Sequence, residues 1–221
     1  MARTRSEMST VEWFRRSTWT DVDRSEFNAK LNRSRKWSRA QYLRIQAVHL
    51  AMADQHDGVL ELLDRMFAEY PEDIHLAQAH AQKANSLAIL GRTDAAINEY
   101  RAGLQAERDF PNVGTQAWLD FGMFVVEKRL TEYYGEITNV MKEFRDEGEL
   151  KFPASEYRYF VIQSFLAEAR GEKIAARDFA KQALAEAAKD HSGLRYHPTI
   201  DLVRAEDRIR FEQKLKTLAK G

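Results

Sequence analysis

Two segments of this chain constrain its fold more than any others: Leu90-Gly91-Arg92-Thr93-Asp94-Ala95-Ala96-Ile97 and Ala169-Arg170-Gly171-Glu172-Lys173-Ile174-Ala175-Ala176. Each has a Gly where a helix must stop, because glycine enters the left-handed conformation without a Cβ clash. Within two or three residues a polar or acidic residue suits the next helix start. Both read as helix, tight turn, helix. Five residues past each Gly comes a small Ala (Ala96, Ala176), then Tyr100 and Leu104 in one segment and Phe179, Ala183 and Leu184 in the other. That is one apolar stripe at about 3.6-residue spacing. With 10 Gly and 4 Pro the chain has too few turn residues for a many-stranded sheet, so an all-α fold is expected.

Two fainter units are in step with these. The run Trp118-x2-Phe121-Gly122-x2-Val125 puts a small residue where a paired helix would approach. Between Ala40 and Pro71 come Leu43, Ala47, Leu50, Asp57-Gly58, Leu63 and Phe67, and Pro71 has no N–H to continue a helix. Measured turn to turn at Asp54, Gly91, Arg129 and Gly171, the spacings are 37, 38 and 42. The Trp118 run resembles the Trp-x2-Leu-Gly-x2-Tyr opening of a tetratricopeptide repeat, and over about residues 40–190 the chain resembles that family. The second and fourth units match well; in the third, Arg129 and Tyr134 replace Gly and Ala, and the first matches in pattern. The resemblance implies a right-handed solenoid of about four helical hairpins. The spacings exceed the roughly 34 of a strict repeat, which predicts lengthened linkers and leaves HEAT-like stacking as the alternative. Trp13-Phe14-Arg15-Arg16 and Gln41 to Ala47 also resemble the leader of uncharacterised bacterial repeat proteins, which implies no activity.

A stack of hairpins exposes an apolar face at each end, so capping helices are expected in residues 1–39 and 191–221, flanking repeats at 40–190. In the first, Thr20 is the cap, Asp21 and Asp23 suit the helix dipole, and Val22, Phe27 and Leu31 form the stripe. The C-terminal helix is expected from about Thr199 to Ala219, burying Ile200, Val203, Ile209, Phe211, Leu215 and Leu218.

Each first helix would bury one stripe: Leu43/Ala47/Leu50, His80/Ala84/Leu87, Trp118/Gly122/Val125 and Phe160/Ser164/Ala167. At about 100° per residue, a second stripe roughly 140° away faces the inside of the curve. It carries Gln41, Arg44 and Val48; Gln78, Ala81 and Asn85; Gln116, Leu119, Met123 and Glu127; and Arg158, Val161, Phe165 and Glu168. Amides suit a peptide backbone and soft apolar side chains suit its anchors. Arg44 and Arg158 are expected to face solvent and bury little area. The competing expectation is a groove filled by the cap helices.

Lys+Arg 34 balance Asp+Glu 34, so no global field favours a nucleic acid or a membrane. Locally, residues 1–46 hold 11 cations against 5 acids. Arg33-Ser34-Arg35-Lys36-Trp37-Ser38-Arg39 sets a Trp among cations, where it suits either a base and phosphates or a solvated linker whose Trp docks on the first hairpin. The docked linker is the expectation. An acidic partner, or the Asp54 to Asp73 stretch of another copy, is a further reading. Met1 to Met8 lack a signal-peptide core and no run would span a bilayer, so a cytoplasmic protein is expected.

Zero Cys excludes disulfides, Cys-ligated metals and a Cys nucleophile. Glu72-x2-His75 lacks the second copy a di-metal bundle needs, and His75 and His80 are too far out of phase to share a zinc. Nucleotide-binding and hydrolase glycine motifs are absent, and Glu61/Asp64 and Glu143/Asp146 are spacings common on exposed helices. The expectation is a non-enzymatic module, without cofactor or metal, that binds a protein or peptide in its groove. The alternatives are a nucleic-acid-associated factor and a helical enzyme.

Overall fold

The computed structural model describes residues 12–145 and 152–221. Arg3, Arg5 and Glu7 of the N-terminal charge set, and Asp146, lie outside them. The described residues form ten α-helices, two short 3-10 turns and no strand, so the chain is all-α. The helices are α1 (Asp21–Arg33), α2 (Arg39–Ala51), α3 (His56–Glu69), α4 (Leu76–Ile89), α5 (Thr93–Asp109), α6 (Ala117–Lys128), α7 (Tyr134–Phe144), α8 (Pro153–Ala169), α9 (Lys173–Ala187) and α10 (Ala205–Lys220).

All four turn residues picked from the sequence are left-handed: φ is 56° at Asp54, 73° at Gly91, 56° at Arg129 and 75° at Gly171. In each turn the next amide reaches back to close the helix end. Gln55 N–H donates to Leu50 O at 2.9 Å, Arg92 to Leu87 at 2.9 Å, Leu130 to Val125 at 3.0 Å and Glu172 to Ala167 at 2.9 Å. This is the Schellman closure, which satisfies carbonyls that would otherwise be orphaned. Beyond these turns α2 packs on α3, α4 on α5, and α8 on α9.

The chain divides into two compact units, Met1–Ala117 and Trp118–Gly221. In the first, Phe27 and Leu31 of α1 join Leu43, Ala47 and Leu50 of α2 and Val59, Leu62, Leu63 and Met66 of α3 in one core. Thr20 caps α1 in a reciprocal box with Asp23. The Thr20 amide and hydroxyl and Arg16 hold the Asp23 carboxyl far below its ordinary range. Val22 is exposed rather than buried, because five residues of helix turn it about 140° from Phe27. The buried Gln46 grips Arg16, accepting from its N–H at 3.0 Å and donating to its carbonyl at 2.8 Å.

In the second unit, Tyr157 and Val161 of α8, Ala180 and Ala183 of α9, and Phe211 and Leu215 of α10 form the core. The last helix begins at Ala205, not near Thr199. Residues 198–201 turn instead, Asp201 is left-handed at 50°, and its carbonyl accepts the Ala154 amide at 2.9 Å at the start of α8. Ile200 is consequently exposed, and Ile209, within α10, is exposed as well, both contrary to expectation.

Candidate functional site

The stripe expected to line a groove has different surroundings in the two units. In the second unit α10 covers it. Phe165 meets Phe211 edge to face, and Met123 is half-buried against the same cluster. Arg210 donates to Glu127 at 3.0 Å and Lys214 to Glu168. Leu119 and Val161, expected to face the groove, are fully buried. Arg158 donates to Asp120 and is half-buried. There the apolar face and the cations of α10 meet apolar and acidic positions of α6 and α8.

In the first unit Gln41 is exposed and Val48 half-buried, while Ala81 is buried. Asn85 accepts from the Tyr100 hydroxyl at 2.6 Å, and Gln116 is exposed just before α6. Arg44 is not the solvent-facing side chain expected: it is half-buried, and its Nε is shielded with no hydrogen-bond partner. Burial lowers its pKa, opposed by the charge of Asp73. Asp73 lies three residues before the start of α4 at Leu76, and Gln78 occupies the first turn of that helix. The Gln78 carbonyl oxygen and both polar atoms of Gln82, one turn on, are likewise buried without partners. Gln82 carries no sequence signal beyond its position one turn from Gln78.

A second polar group in this unit is fully engaged. The His80 ring stacks on Phe67 with centroids 4.1 Å apart, and its Nδ1 lies 2.7 Å from Glu99. Lys83 bridges Asp64 and Glu99, at 2.6 Å to each. Burial pushes the Glu99 carboxyl up, but bonds from His80 and Lys83 outweigh it and hold the pKa low. Glu61 instead takes Trp19 and Arg24, so Glu61 and Asp64 have separate partners. No three His, Asp or Glu side chains converge on a metal-sized space among the described residues.

Trp37 does not dock on the first hairpin. It is 73% exposed, because the 3-10 turn Lys36–Ser38 buries Ser38 and lifts the indole outward. No family model matches the chain, and no curated protein or solved structure resembles it significantly. No helix among the described residues is long and apolar enough to cross a membrane.

Proposed function

We propose that the chain is a non-enzymatic peptide-binding module, an array of tetratricopeptide-like hairpins whose working surface lies in its first unit on Arg44, Gln78 and Gln82. Four consecutive Schellman-closed turns at nearly regular spacing support the array. The observation that carries the binding reading is the set of shielded polar atoms without partners on these three side chains. A buried polar group left unsatisfied costs about 1–3 kcal/mol, more for a charged one, so a ligand that completes these bonds recovers that energy on binding. An unpaired guanidinium takes a carboxylate through two parallel hydrogen bonds, and glutamine amides match a peptide N–H and C=O. The ligand is therefore an extended segment bearing an acidic side chain or a free C-terminal carboxylate.

Selection of a displayed library of random peptides tests this. Enriched peptides should carry a carboxylate and lose at least about tenfold in affinity on Arg44→Met, the scale of one charge-assisted pair. Equal affinity for the variant, or no enriched peptide, defeats the proposal.

A further inference from the structure

We propose that the turn joining α1 to α2 binds single-stranded nucleic acid, with Trp37 stacking on a base and Arg33, Arg35 and Lys36 meeting the flanking phosphates. The first observation is how the turn that carries the indole is held. The Ser38 amide closes the turn on Arg35 O at 3.0 Å, and the Arg39 guanidinium clamps Asn32 O at 2.7 Å and Ser34 O at 3.2 Å. The turn is thus tied at both ends while Trp37 projects from it, with the Arg35 guanidinium 5.9 Å from the ring centroid. A backbone held in this way loses little conformational freedom when a base stacks on the ring it carries.

The second observation is charge. From Phe27 to Ala53 the chain carries Lys30, Arg33, Arg35, Lys36, Arg39 and Arg44 and no acidic residue. Elsewhere in this unit Arg16, Arg24, Arg65 and Lys83 each have a carboxylate partner. Among the described residues no carboxylate lies within ion-pair distance of Arg33, Arg35 or Lys36. The chain's overall neutrality does not offset this, because charges more than about 8 Å away are largely screened at physiological salt.

The shape of the site selects among anionic partners. A three-residue 3-10 turn is no reading head for a duplex groove, which admits an α-helix or a β-ribbon. A lipid surface wants an apolar helix face, and the apolar face of α2 (Leu43, Ala47, Leu50) is consumed by the core. A flat exposed ring among cations fits an unpaired base between phosphates.

Anisotropy of a labelled oligothymidylate of about 15 nucleotides tests the inference, since such sites span about 4–16 nucleotides. The intact protein should bind, and raising salt from about 0.05 to 0.2 M should weaken binding about 20-fold if three phosphates are contacted. Trp37→Ala should weaken it about 5–150-fold, the worth of one stacked base, while Trp37→Phe stays within a few-fold of wild type. Arg35→Ser with Lys36→Ser should flatten the salt dependence. The inference is overturned by absent binding at low salt, by an unchanged Trp37→Ala, or by preference for the duplex. Retention on phosphatidylserine–phosphatidylcholine vesicles without oligonucleotide binding overturns it equally.

Discussion

The Phe165 ring stands edge-on to Phe211 with centroids 5.9 Å apart, so a residue placed to anchor a ligand is instead sealed by the last helix. Phe211 is 5% exposed and Leu215 fully buried, and Arg210 and Lys214 pair with Glu127 and Glu168 beside them. The two ion pairs are exposed and contribute little; the apolar seam holds α10 down. Phe211→Ala should therefore cost about 3–5 kcal/mol in chemical denaturation. Arg210→Ala should cost under about 1 kcal/mol. Comparable losses for the two would show that the charges hold α10 down.

A Cβ on Gly122 would stand 2.6 Å from Ile162 Cδ1 and 3.2 Å from Met141 Cε, so this glycine sets how closely α6 approaches α8 and α7. Gly122→Ala should destabilise by about 1–3 kcal/mol through overpacking. Ile162→Val removes the clashing Cδ1. The double variant should fall short of the summed single losses by about 1 kcal/mol or more, whereas strict additivity would show that Ile162 is not the obstacle.

Much of this fold was legible because a hairpin turn leaves a chemical trace. Gly91 and Gly171 advertise left-handed backbone directly. Asp54 and Arg129 do not, and only the spacing of the units located them, yet they form the same closure. What covers each surface was not legible. Arg210 is 83 residues from Glu127 and Lys214 is 46 from Glu168, so nothing local announces those pairings. Exposure of Ile200 and Ile209 likewise depends on where each element docks rather than on residue type, whereas the helix period alone sets Val22 about 140° from Phe27. Docking of Trp37 is the expectation because charge runs in a neutral chain are usually solvated linkers, whereas the 3-10 turn that lifts the ring outward is held by backbone and side chain to backbone bonds with no sequence signature.

The two classes of turn residue should respond oppositely to substitution. Added Cβ atoms at Gly91 and Gly171 meet nothing within 4 Å, so only backbone strain acts there. Each Gly→Ala should cost about 1 kcal/mol, the left-handed penalty less the reduced entropy of the unfolded chain. Arg129→Gly should be neutral or stabilising by up to about 1 kcal/mol for the converse reason. A loss at Arg129→Gly in thermal melts would mean that its side chain supports the turn.

Tyr157 ties α8 to α10, donating from its hydroxyl to Asp207 O at 3.1 Å, and burial pushes its pKa to about 12. The folded state holds this proton more tightly than the unfolded chain, whose tyrosines titrate near 10. Its contribution is thus complete below about pH 10 and lost as pH rises toward 12. Two units correspond to about 3 kcal/mol. Tyr157→Phe should flatten the alkaline limb of the stability curve relative to wild type, and parallel limbs would refute the assignment.

Arg44 offers the sharpest separation of stability from function. A half-buried guanidinium with a shielded, unpartnered Nε carries a desolvation cost that no ion pair returns. Methionine fills a similar volume without that cost, so Arg44→Met should leave the unfolding free energy unchanged or raise it by about 1–2 kcal/mol, as such replacements do. Arg44→Glu should instead destabilise, because it buries an anion within the field of Asp73. A residue kept for folding would show the reverse, with Arg44→Met lowering stability. The expected pattern, stabilisation together with loss of carboxylate-peptide affinity, is the signature of a side chain retained for a ligand.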